Sequence, residues 1–204
     1  MYSTGTFDVG QPKTMTAETD CAELLELLGS KPLVLVGMMG AGKTTVGRRL
    51  AARLGRRFID SDAEIEKAAG MNINDFFALH GEAEFRTGES RVISRIMKEE
   101  DIVLGTGGGA FINTETRDLI RAEGLSVWLK ADFELLFARV SRRSNRPLLQ
   151  TPNPRETLKN LMDQRYPVYA EADVTVVSHD VPHEVVVDAV ITQVRNYLRD
   201  KNRT

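Results

Sequence analysis

The chain is expected to fold as a three-layer α/β/α domain around a five-stranded parallel sheet. Short apolar runs alternate with helical patterns along its length. These runs are continuous rather than polar-alternating, as in strands covered on both faces. The first run leads directly into Gly37-Met38-Met39-Gly40-Ala41-Gly42-Lys43-Thr44. That string fits GxxxxGK[ST], a phosphate-binding loop, and stands where such a loop must stand, between a strand and a helix.

Residues 1 to about 30 read as an extension. Met1 to Met15 is polar and lacks the charged start and apolar centre of a secretory signal. Cys21 to Leu28, with four leucines, suggests a short helix ended by Gly29. Residues 31–204 form the main domain. Its strands are expected at Leu33–Val36, closing at Phe58-Ile59, and at Ile102–Leu104, Val127–Leu129 and Val174–Val177. Helices are expected at Thr44–Leu54, Asp62–Ala69, Asn74–Leu79, Glu82–Lys98, Thr116–Ala122, Asp132–Val140, Arg155–Tyr166 and Glu184–Leu198. Asp132 reads as an N-cap, as does Asn153 with Pro154 in the first helical position. The basic, polar segment Ser141–Thr151 reads as a lid over bound phosphates, within about 141–153.

Composition bounds the chemistry. The 204 residues are 42% hydrophobic and 27% charged, with a net charge of −2. That suits one globular domain and offers no general attraction for nucleic acid or an anionic membrane. No apolar run reaches the ~18 residues of a membrane span. Cys21 is the only cysteine, which excludes an internal disulfide. A cytoplasmic monomer is expected.

In the phosphate loop, backbone N–H groups of Gly40, Ala41 and Gly42 and the helix start at Lys43, Thr44 and Thr45 suit a nucleotide. Lys43 suits the β- and γ-phosphates, and the Thr44 hydroxyl suits Mg²⁺. Asp60 and Asp62, two residues apart in extended backbone, would face one side. Ser61-x-x-Glu64 also fits a capping box, which would account for Ser61, Asp62 and Glu64 but not Asp60. The third strand ends in Gly107-Gly108-Gly109 where a nucleotide-hydrolysing relative carries a Walker B aspartate. Three glycines permit a ligand to approach the backbone. Glu82, Arg86 and Glu89 share a helix face, and alone would read as an exposed ion-pair ladder. Phe77 and Phe85 alone read as core. Arg165 alone reads as a cation at a helix C-terminus.

Taken together, GMMGAGKTT, DSD, GEAEFR, GTGGGA, NRPLL and QRYPVY stand in an order that resembles the shikimate kinase family. The resemblance runs from about Leu33 to the C-terminus. It implies transfer of the γ-phosphate of ATP to the 3-hydroxyl of shikimate, on the route to chorismate and the aromatic amino acids. It also implies a helical substrate-binding region at about 61–98 and a lid. By resemblance, Asp60 and Thr44 serve one Mg²⁺, and Asp62 faces the reacting hydroxyl. Arg86 and Arg165 clamp the shikimate carboxylate, Gly108 donates from its backbone, and Glu89 orients these groups. Phe77 and Phe85 wall the acceptor pocket. Arg146 reaches the transferring phosphates, and Arg139 packs on adenine.

Other readings make different demands. A gluconate or nucleoside-monophosphate kinase would share the phosphate loop and lid but not the set of Asp62, Arg86, triple glycine and Arg165. A GTPase switch would need asparagine at Leu129 in Leu129-Lys130-Ala131-Asp132. A non-catalytic binder would not need Lys43, Thr44, Asp60 and Asp62 together.

Overall fold

The computed structural model describes residues 13–142 and 151–203. Helix α1 (Lys13–Leu28) precedes β1 (Leu33–Val36), α2 (Lys43–Leu54) and β2 (Arg57–Asp60). Helices α3 (Ser61–Ala69) and α4 (Ile73–Ile96) follow. Strand β3 (Ile102–Gly105) runs into a 3₁₀ turn at Ala110–Ile112, then α5 (Thr114–Glu123) and β4 (Leu125–Lys130). Helices α6 (Phe133–Ser141) and α7 (Pro154–Tyr169), strand β5 (Val174–Val177) and helix α8 (His183–Lys201) complete the order.

The five strands pair in the order β2-β3-β1-β4-β5, all parallel. Every residue of β1 and β3 is buried, which is why both read as unbroken apolar runs. Each such Leu or Val contributes about 1.5–3 kcal/mol relative to exposure. The edge strand β5 departs from the expected pattern. Its residues alternate buried and exposed, and Val177 is 50% exposed, the period of a strand with one covered face.

Register decides where the chemistry gathers. Asp60 pairs with Gly105, and Gly105 with Leu35. The segments that leave β1, β2 and β3 therefore emerge side by side at the carboxyl edge, where open parallel sheets bind ligands.

Local signals set most helix ends. Asp132 accepts from the Leu135 N–H at 2.8 Å, and Asn153 caps α7 with Pro154 just inside, as expected. Asn113 caps α5 through the Thr116 N–H, so this helix starts two residues before the expected Thr116. Asp60, rather than Ser61, caps α3, and its carboxylate accepts from the Asp62 N–H at 3.1 Å. The expected capping box does not form: with Asp60 as the cap its third helical position is Ala63, and Glu64 pairs with Arg95 instead. Ser61 is instead fully buried, its hydroxyl accepting from the Gly107 N–H at 3.0 Å.

The two helices expected on either side of residue 81 are arms of one kinked element. Gly81 has φ 79° and ψ 175° inside α4, a geometry that glycine adopts cheaply. Helix α7 continues through Pro167 to Tyr169, past its expected end at Tyr166. The proline removes one helical N–H donor. Trp128 makes ring contacts with both Tyr166 and Tyr169, and this packing holds the last turn.

The described part of the extension is longer than expected and belongs to the core. Helix α1 places Leu24 and Leu28 against the domain, both nearly inaccessible. Asp20 and Glu23 pair with Arg195 and Arg199 of α8.

Candidate active site

Two hollows open at the carboxyl edge of the sheet. The larger, about 1310 Å³ of empty space, lies over the phosphate loop. The smaller, about 530 Å³, lies between α4, the triple glycine and α7.

The larger hollow is lined by Gly40, Gly42, Lys43, Thr44 and Thr45. Gly40 and Gly42 turn the loop at φ 82° and 95°, which a side chain would strain. The Lys43 ammonium donates to the carbonyls of Gly37 and Met38 at 2.7 and 2.9 Å. Ala41 is the exception among the expected loop contacts. It is buried under the loop, and its N–H is given to the Met38 carbonyl. The Thr44 hydroxyl donates to Asp60 at 2.9 Å. Arg139 also lines this hollow and reaches the carbonyls of Gly40 and His179. Arg146 lies outside the described residues, as does most of the expected lid.

The smaller hollow brings together Asp62, Phe77, Phe85, Arg86, Glu89, Gly108 and Arg165, all singled out from the sequence. Phe77 and Phe85 pack with ring centres 4.5 Å apart and form its apolar wall. Arg86 donates to Glu89 at 2.7 Å and to Glu82 at 3.0 Å. The exposed-ladder reading fails at Glu89, whose side chain is only 2% exposed. Burial pushes the Glu89 carboxyl up, Arg86 pulls it back, and Asp62 adds to the rise. One Glu89 oxygen has no hydrogen-bond partner among the described residues. Arg165 is buried one turn before the end of α7 and donates to the Gly108 carbonyl at 3.3 Å. The reading of Arg165 as a helix C-terminal cation fails because α7 runs on to Tyr169.

The triple glycine is explained residue by residue. A Cβ on Gly107 would lie 2.7 Å from an Asp62 oxygen and 2.8 Å from a Glu89 oxygen. A Cβ on Gly109 would lie 2.3 Å from Arg86 Nη1. Two of the three glycines therefore make room for the protein's own charged groups, a tighter requirement than ligand approach alone. The Arg86 guanidinium is the far end of a flexible side chain, so Gly109→Ala should push it off Glu89 rather than move the backbone. We expect a folded protein whose acceptor KM rises about tenfold or more, with the ATP KM unchanged, in steady-state assays.

Asp62 and Gly108 line both hollows. Asp62 does not share an extended strand with Asp60, because α3 has already begun. It reaches the junction as the second residue of that helix, which the Asp60 cap fixes in place.

Several lining residues carry little signal in the sequence. Met39 and Ile73 line the smaller hollow, and Thr106, Arg142 and His183 the larger. Burial and the nearby Arg49 and Arg139 charges hold the His183 imidazole below its ordinary value. Tyr169 also stood inside a quoted motif, four residues after Arg165 and so on the same helix face.

Comparisons with known proteins identify the family. The family model described as shikimate kinase matches residues 39–195. Shikimate kinase of Rhodopseudomonas palustris is 54% identical over 177 residues, 87% of each chain. Shikimate kinase of Bartonella quintana is 52% identical over 176 residues, 86% of this chain and 84% of its own. Among solved structures, shikimate kinase from Acinetobacter baumannii in complex with shikimate superposes with a TM-score of 0.79 at 39% identity. That match covers 83% of this chain and 95% of the other. A gluconokinase from Sinorhizobium meliloti, 17% identical with a TM-score of 0.59, shares the fold alone.

Proposed function

The chain belongs to the shikimate kinase family, and from that premise we propose how its two hollows divide the reaction. The enzyme transfers the γ-phosphate of ATP to the 3-hydroxyl of shikimate, giving shikimate 3-phosphate and ADP. ATP occupies the larger hollow and shikimate the smaller. One observation carries this division: Asp62 and Gly108 line both, so the two substrates meet there.

The residues then take distinct roles. Arg86 and Arg165 hold the shikimate carboxylate, because a planar guanidinium can donate two hydrogen bonds to one carboxylate. Glu89 keeps Arg86 in place, and Phe77 and Phe85 cover the ring. Asp62 accepts a hydrogen bond from the reacting hydroxyl and takes its proton late in the transfer. Lys43, fixed over the loop, neutralises charge on the transferred phosphoryl, with Arg146 assigned the same task. Arg139 packs on the adenine side.

Thr44 and Asp60 supply two hard oxygens beside the phosphate loop, a set that fits Mg²⁺. Among the described residues no cluster of three or more His, Cys, Asp or Glu could hold a metal. Mg²⁺ needs only one or two protein oxygens and takes its remaining ligands from water and substrate phosphates. When bound, it would screen the β- and γ-phosphate charges.

The enzyme is assigned as a monomer. Among the described residues no helix is long and apolar enough to cross a membrane. We assign the ATP-dependent reaction to the cytoplasm. The test is ADP formation with Mg²⁺, comparing shikimate with quinate and gluconate. Turnover is expected with shikimate and near background with gluconate. Equal turnover with gluconate would defeat the acceptor assignment.

A further inference from the structure

Tyr169 takes no part in the scheme above, yet its hydroxyl contacts segments of both halves of the site. It is fully buried at the end of α7. Its hydroxyl donates to the Gly108 carbonyl and lies 3.9 Å from Met38 Sδ in the phosphate loop. Its ring packs on Trp128, centre to centre 5.9 Å, and a Cβ on Gly37 would lie 3.1 Å from that indole. One side chain thus touches the acceptor loop and the donor loop, which are 70 residues apart in the chain.

The geometry has a directional consequence. A trans peptide is planar, so its C=O and N–H point in opposite directions. Tyr169 and Arg165 both draw the Gly108 carbonyl toward α7. The N–H of the same peptide, which belongs to Gly109, is thereby turned away from α7. Gly109 lines the acceptor hollow. Burial pushes the Tyr169 phenol up to about 12, although Arg165 opposes the rise. The hydroxyl therefore remains a donor throughout the working pH range.

We infer that Tyr169 is a positioning residue for phosphoryl transfer: its hydroxyl sets the Gly108–Gly109 peptide so that this turn presents its N–H to the acceptor. The inference rests on the assignment of the smaller hollow to shikimate. Arg165 cannot do this alone, because its contact with Gly108 is long and its guanidinium is committed to the acceptor carboxylate.

The test is Tyr169→Phe, which keeps the ring against Trp128 and removes one hydroxyl. The expected result is a rise of about 3- to 10-fold in the shikimate KM, the worth of one hydrogen bond, with the ATP KM within about twofold. Tyr166→Phe is the control. Tyr166 also packs on Trp128, but its hydroxyl is spent on the Ala131 carbonyl, so the shikimate KM should not move. An unchanged shikimate KM in Tyr169→Phe overturns the inference. So does a parallel rise for both substrates, or an equal rise in Tyr166→Phe, since either would mean general loosening of α7. If Tyr169→Phe does not fold, amide NMR of the wild-type enzyme decides. The Gly108 and Gly109 amide signals must shift with shikimate more than with ADP, and signals that stay still overturn the inference. Failure of the wild-type enzyme to phosphorylate shikimate would instead overturn the acceptor assignment.

Discussion

Asp62→Asn should lower kcat by about 10²- to 10⁴-fold while the ATP KM stays within about twofold. The asparagine has the same shape and keeps an oxygen that can accept the shikimate hydroxyl. It lacks the charge that draws the proton off as the phosphoryl group arrives. Position should be preserved, because the start of α3 is set by the Asp60 carboxylate on the residue 62 N–H, a backbone contact. Stability should not fall for electrostatic reasons either. The Asp62 charge is one of the causes that raise the Glu89 carboxyl, so its removal relieves repulsion in a buried site. Steady-state kinetics with a thermal melt separate these effects. An unchanged kcat in a folded variant would remove Asp62 from the chemistry.

Arg165→Ala should raise the shikimate KM about a hundredfold or more. Arg165 is 8% exposed and faces the acceptor hollow. Truncating one partner of a buried, hydrogen-bonded charge pair costs about 2–5 kcal/mol, which is tens to thousands in affinity. The loss falls on the acceptor because Arg165 does not line the nucleotide hollow. Arg165→Lys should recover only part of it, since an ammonium restores charge but not the two-pronged contact. Equilibrium binding of shikimate and of ADP checks the split. Equal loss of both ligands would show that α7 had collapsed rather than that a clamp had been removed.

The sheet and the donor half of the site were legible in the sequence because their signals are local. Buried parallel strands read as apolar runs, and the phosphate loop is one contiguous string bounded by its strand and helix. The acceptor half was different. Arg86, Glu89 and Arg165 look ordinary in isolation, since an i, i+4 ion pair or a cation near a helix end needs no further purpose. Only the order of motifs lifted them, and only the fold shows both Glu89 and Arg165 buried.

Where sequence reasoning missed, a tertiary contact overrode a local rule. The Ser61 hydroxyl serves Gly107 across the site, so it does not cap α3. Pro167 should have ended α7, but packing on Trp128 carries the helix one turn further and delivers Tyr169 to Gly108. The triple glycine was read as room for a ligand. Gly107 and Gly109 turn out to give room to Asp62, Glu89 and Arg86, an arrangement set by residues 18 to 45 positions away.

The central claim is that the donor and acceptor hollows meet at Asp62 and Gly108. A crystal structure with ADP, Mg²⁺ and shikimate bound tests it most directly. The account predicts the shikimate carboxylate on Arg86 and Arg165, with one ring hydroxyl within hydrogen-bond distance of Asp62 and directed toward the phosphate loop. Shikimate bound with its carboxylate away from both arginines, or with no hydroxyl near Asp62, would contradict it.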